Sequence, residues 1–261
     1  MRHILVFVIL FPFATVYSQT DNKRLDSILT QSKITWKKYQ TNHFNFFVEE
    51  GMYPDQNIGN IKYDFEITRN NIISFLGDEN FVDTANLIIV DTKEKIVNIL
   101  GFEVQGFAIP ESDIVIFLNS KNYSLAAKHE LTHYYSFHIW GRSADNWFSE
   151  GLAVYYDNKW NGYQVDSLTK HLKDNNKLFK ISTLTKQFYL LNPMIAYPQI
   201  GSFTSFLLSK YGKEKIKKLW IRGFKDMRAI YGKSLKKLEG EWLKDLDKFQ
   251  NEKIDYKSHL K

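Results

Sequence analysis

Residues 127–138, Ala-Lys-His-Glu-Leu-Thr-His-Tyr-Tyr-Ser-Phe-His, decide how the rest of the chain is read. Within them His129-Glu130-Leu131-Thr132-His133 fits the pattern H-E-x-x-H. On an α-helix, side chains four apart stand one turn above the other on the same face, so both imidazoles can bind one ion. Glu130 projects beside that face, where it can take a proton from a metal-bound water. Zinc lowers the pKa of such a water toward neutrality and makes hydroxide available for attack on a carbonyl. The helix is expected to be capped by Ser124 and to end at Gly141.

A catalytic zinc needs a third protein ligand. A metzincin would place a third histidine six residues after His133, following a glycine. Here position 139 is Ile, position 136 is Ser, and His138 stands one residue out. The other common solution is a glutamate on the next helix, folded back across a short turn. Trp147-Phe148-Ser149-Glu150-Gly151-Leu152-Ala153 opens such a helix, which is expected to begin near Asn146 or Trp147. Glu150 lies near its start, 17 residues after His133. It would join His129 and His133 as a two-histidine, one-carboxylate set with a position open for water. A carboxylate in a first helical turn is also favoured by the helix dipole without any metal.

Outward from this stretch the chain divides by pattern. Residues 124–261 read as helices, among them VDSLTKHLKDNN, YPQIGSFTSFLLSKYG, KEKIKKLWIRGF and KSLKKLEGEWLKDLDKF. Residues 19–123 alternate: a helical lead, one or two strands in ITWKKYQTNHFNFFVEE, and a helix over Asn57–Leu76 ending at Gly77. ANLIIVDT then reads as a buried strand, KEKIVNIL as a short helix stopped by Gly101, and GFAIPESDIVIFLN as two strand pieces. Pro110 favours an edge or a turn over a central strand. The expected class is α+β: a small mixed sheet with an edge strand, followed by a mostly helical part, the two making one domain.

Residues 1–18 differ from the rest. Arg2 and His3 precede the apolar run Ile4–Tyr17, and Val16 and Ser18 stand three and one residues before Gln19, as at a secretory cleavage site. The run is too short to span a bilayer and Pro12 interrupts it. A cleaved signal peptide, and a periplasmic or secreted protein, are the expectation; an uncleaved anchor is the alternative. With no cysteine among 261 residues, the protein has neither disulfides nor a thiolate zinc site. The net charge of +6 comes from lysines with acids between them, the look of solvated helix faces; nucleic acid is not an expected partner.

HELTH followed by WFSEGLAVYY resembles the gluzincin superfamily, the peptidase MA-like group with thermolysin-type and aminopeptidase-type enzymes. Ala196-Tyr197-Pro198-Gln199-Ile200-Gly201-Ser202-Phe203 is similar to the segment in which the aminopeptidase type keeps a catalytic tyrosine, and YGKSLKKLEGEWLKDL to a terminal helix common in the group. The resemblance spans roughly residues 35–250. It implies a thermolysin-like catalytic domain that hydrolyses peptides or proteins. His129, His133 and Glu150 would hold Zn2+, with Glu130 as general base and Tyr197 as hydrogen-bond donor to the oxyanion. The strand around 106–118 would be the edge that pairs with an extended peptide. The aminopeptidase motif G-x-M-E-N has no match in GFAIPESD, so an endopeptidase-like enzyme is expected. The thermolysin type has an acid where Val154 stands, and Asp157 is the substitute candidate for orienting a histidine. A catalytically silent binding protein of the cell envelope with the same fold is the alternative reading.

Overall fold

The computed structural model describes residues 21–251; the expected signal peptide lies outside the described residues. Among them the chain is α+β, with a five-stranded mixed sheet. β1 (Trp36–Gln40) and β2 (Phe44–Glu49) form an antiparallel hairpin. β3 (Ala85–Val90), β4 (Gly106–Ile109) and β5 (Ile114–Leu118) complete the order β1-β2-β3-β5-β4. β2, β3 and β5 run parallel, in register Phe46↔Leu87 and Leu87↔Val115. β4 returns antiparallel to β5 and forms one edge. Pro110 has no N–H to give a ladder, and it starts a 3-10 turn over Pro110–Ser112 that separates β4 from β5.

The three parallel strands are apolar on both faces because both are covered. The helices of this half are α1 (Asp21–Gln31), the short α2 (Tyr53–Gln56), α3 (Ile58–Leu76) and α4 (Lys93–Leu100). On one face Ile88, Val90, Ile114, Ile116 and Leu118 pack with Leu25 of α1 and Ile96 of α4. On the other, Phe65 of α3 stands edge-on to Phe44, Phe46 and Phe117, with ring centroids 5.7, 5.7 and 5.2 Å away. Offset and edge-on aromatic contacts of this kind add to the gain from burial alone.

That second face meets the helical half. α5 (Ala127–Trp140) lies against it and against α3, and α6 (Asn146–Asp157) turns back beside α5. A two-rung hairpin, β6 (Lys159–Trp160) with β7 (Tyr163–Gln164), leads into α7 (Val165–Asp174), α8 (Ile181–Gln187) and the long α9 (Pro193–Tyr211). α10 (Lys213–Arg222), α11 (Met227–Tyr231) and α12 (Leu235–Asp245) close the described chain. One apolar cluster runs from Phe44 on the sheet through Leu131 and Phe203 to Trp242. No helix among the described residues is long and apolar enough to cross a membrane.

Three expectations are corrected. Ser124 does not cap α5, whose N-cap is Ala126 without a side-chain hydrogen bond. A tight turn closed by the Ser120–Tyr123 bridge precedes Ser124, and the helix opens only after it. α9 begins at Pro193, not near Tyr197, because Asn192 caps it by accepting the Met194 N–H at 2.9 Å. The helices α8 and α11 were not expected; at seven and five residues each is too short for a helical period to stand out.

Candidate metal centre

His129, Glu130 and His133 lie in the first two turns of α5, and Glu150 in the first two turns of α6. Several contacts fix α5. Trp140 Nε1 donates to the Leu76 carbonyl of α3 at 3.1 Å, and the Tyr134 hydroxyl reaches Asp83 and Asp113 on the sheet side. The connection to α6 turns at Gly141, whose positive φ of 80° suits glycine, and whose carbonyl accepts the Trp220 indole N–H at 2.8 Å. Asp145 does not cap α6 with its side chain. Its carboxylate accepts the Phe224 N–H at 2.7 Å instead, fastening the connection to the turn after α10.

α6 is seated on α9 by two interlocking glycines. A Cβ on Gly151 would lie 2.7 Å from Thr204 Oγ1, and one on Gly201 would lie 2.4 Å from Val154 Cγ1. The residue after Glu150 is therefore in direct contact with α9. Val154, at the position where an orienting acid was sought, is fully buried against Gly201 and has no place for a carboxylate.

These supports bring three donor atoms to one point. Nε2 of His129 is 3.2 Å from Nε2 of His133, and each is 3.3 Å from Oε2 of Glu150. A tetrahedral ion with bonds of about 2.0–2.1 Å holds its ligand atoms about 3.3 Å apart. The set matches that spacing on all three edges, and its types, two imidazoles and a carboxylate, suit zinc. Two ring nitrogens facing each other at 3.2 Å can hold at most one proton between them. With both imidazoles neutral and protonated at Nδ1, two Nε2 lone pairs and a Glu150 oxygen would converge where a cation would sit. Burial opposes charge on His129, but the hydrogen bond to Glu150 and the charges of Glu130, Glu150 and Asp157 outweigh it and lift its pKa to about 9. Burial would likewise raise Glu150, yet the two histidines hold it well below the usual carboxylate range.

Glu130, next to His129 in sequence, packs against the sheet edge. A Cβ on Gly106 of β4 would fall 2.5 Å from its Cγ, and the Ala108 N–H donates to its carboxylate. Burial pushes the Glu130 carboxyl up, against the pull of His129 and His133. Tyr197, in the second turn of α9, stacks on Trp160 with ring centroids 4.4 Å apart; Trp160 in turn faces the His129 ring at 6.4 Å. Burial first, then the Glu150 charge, raises both Tyr197 and Tyr189, so both phenols stay protonated.

Other candidates fall elsewhere. Glu111 is exposed and ion-paired with Arg142, away from the triad. Asp157, at the end of α6, acts on His129 through its charge, and burial raises its own carboxyl. His138 lies at the far end of α5, against Asp113. Gly106, Trp160 and Tyr189 were missed from sequence, since nothing in their local pattern marks them. No family model matches the chain, and a search of the curated proteins finds no match.

Proposed function

We propose that the chain is an exported, gluzincin-type zinc metallopeptidase, endopeptidase-like, with His129, His133 and Glu150 as the metal ligands. The observation that carries this reading is the triangle of donor atoms at 3.2–3.3 Å, reached from two helices. A zinc ion there supplies Lewis acidity: it polarises a carbonyl and makes water a stronger acid. Nε2 of each histidine gives its lone pair, and Glu150 adds one negative charge. Glu130, held by Gly106 and the Ala108 N–H, has the raised pKa that suits a base which must also give its proton back. Its carboxylate takes a proton from the attacking water and passes it to the leaving amine nitrogen. The protonated Tyr197 hydroxyl donates to the oxyanion. β4, as an edge strand, offers unpaired backbone groups to an extended peptide on either side of the Ala108 N–H that Glu130 engages. Export rests on the pattern of residues 1–18.

The test is Glu130→Gln. It should retain zinc and lose about 10²–10⁴-fold in peptide hydrolysis, the range for a general base. Hydrolysis at the wild-type rate would refute the assigned base. Zinc bound without turnover of a peptide library by the wild type would leave only the binding-protein reading.

A further inference from the structure

A second group of donor atoms lies at the opposite end of α5. Asp83 precedes β3, Asp113 precedes β5, and His138 is in the last turn of α5. Each brings one ligating atom within 4.8 Å of the other two. Nε2 of His138 is 3.2 Å from Oδ1 of Asp113. The buried Tyr134 hydroxyl touches Asp83 Oδ2 and lies 3.0 Å from Asp113 Oδ1. A hydroxyl has one proton, so it satisfies one carboxylate and leaves the other to a different partner.

Two further atoms sharpen the case. Asp83 Oδ1 and His138 Nε2 are both shut off from solvent; Asp83 Oδ1 has no hydrogen-bond partner, and His138 Nε2 has only the poorly aligned Asp113 carboxylate at 3.2 Å. Buried polar atoms are nearly always paired, so an unpaired carboxylate oxygen beside an ill-aligned imidazole in one three-residue group points to a ligand they share. The backbone supports the grouping. β3 and β5 are parallel neighbours, and the Asn86 N–H donates to the Asp113 carbonyl at 2.7 Å, which locks the entrances of the two strands together. Two carboxylates held this close repel, and either a proton on one of them or a cation between them relieves the repulsion.

We propose that Asp83, Asp113 and His138 form a second divalent-cation site that fastens the C-terminal end of α5 to the sheet. Two carboxylates balance the charge of a dication, and the imidazole favours a first-row ion such as zinc over magnesium or calcium. The Asp113 side chain is 40% exposed, so water has access to complete the coordination. The site shares no residue with the His129 triad and does not depend on that assignment.

The experiment is equilibrium dialysis of the metal-free full chain against Zn2+, with bound metal counted in the wild type and in Asp113→Asn, His138→Gln and Glu150→Gln. The wild type should bind two equivalents and each variant one, the 113 and 138 variants losing a different equivalent from the 150 variant. If His138→Gln and Asp113→Asn bind as much zinc as the wild type with the same affinity, the second site is overturned. If the triad alone is wrong, the wild type binds one equivalent, His138→Gln none, and Glu150→Gln remains unchanged. Circular dichroism of the metal-free chains checks folding; Asp83→Asn replaces Asp113→Asn or His138→Gln if either fails to fold, and His133→Gln replaces Glu150→Gln. Zinc should also raise the thermal midpoint of the wild type more than that of His138→Gln.

Discussion

At the scale of single residues, the best test of how the proposed general base, Glu130, is held is a glycine. Gly106 leaves room for the Glu130 side chain, and a methyl group there meets Cγ at 2.5 Å. Gly106→Ala should retain zinc while displacing the carboxylate, and a misplacement of about 1 Å costs about 10²-fold in rate. Measuring kcat and zinc content together checks this; unchanged kcat would show that Glu130 adapts without loss. The residues of the proposed centre could be picked out in the sequence and Gly106 could not. His129, Glu130 and His133 share one helix, so their spacing states their geometry. Glu150 was reachable because only a short turn separates the two helices. Gly106 meets Glu130 through the packing of a strand on a helix, and no local pattern records such a meeting. The same holds for Asp83 and Asp113, which stand far apart in sequence and join His138 only through strand register.

At the scale of elements, the contact between α6 and α9 is what sets Glu150. Gly201→Ala should cost about 1–3 kcal/mol, the usual penalty for overpacking, in denaturant unfolding. It should also weaken zinc binding, because Val154 and Gly151 shift with α6. Wild-type stability in this variant would show that the helices separate freely. α12 is tied to α9 by a second device: Glu241 pairs with Lys233 at 2.8 Å and Lys210 at 2.9 Å and accepts from the Tyr211 hydroxyl at 3.0 Å. The two lysines hold its carboxyl down from 4.5 to about 2. A depressed carboxylate stabilises the fold fully above its unfolded pKa, and the gain is lost as pH falls through the folded one. The stability gap between wild type and Glu241→Gln should therefore shrink from pH 4.5 to about 2. A gap that holds constant across that window would contradict the tie. Helices with long apolar periods were readable from the chain; their starts were less so, because Asn192 and the Ser120–Tyr123 bridge decide them by hydrogen bonding rather than by period.

At the scale of the whole molecule, the sheet and the helices share one apolar cluster from Phe44 to Trp242. Scanning calorimetry should give one cooperative transition, since neither half can keep its core without the other; two separated transitions would contradict this. A ligand that binds only the folded chain stabilises it by about 2.7 kcal/mol at a hundred times its Kd, so added zinc should move that single transition upward as a unit. The α+β class was legible because apolar strands cluster in the first half and helical periods in the second. One domain was the expectation for the two halves; which side of the sheet α5 packs on was not legible, since no local pattern records it.

The stitching of the Gly141–Asp145 connection to Trp220 and Phe224 has a consequence in time. A chain leaves the ribosome from its N-terminus, so both imidazoles are synthesised well before the segment that anchors the turn leading to Glu150. Until that later segment has emerged and folded, Glu150, the proposed third ligand, has no fixed address. The proposed metal centre is thus completed only after the segment carrying Trp220 and Phe224 is in place.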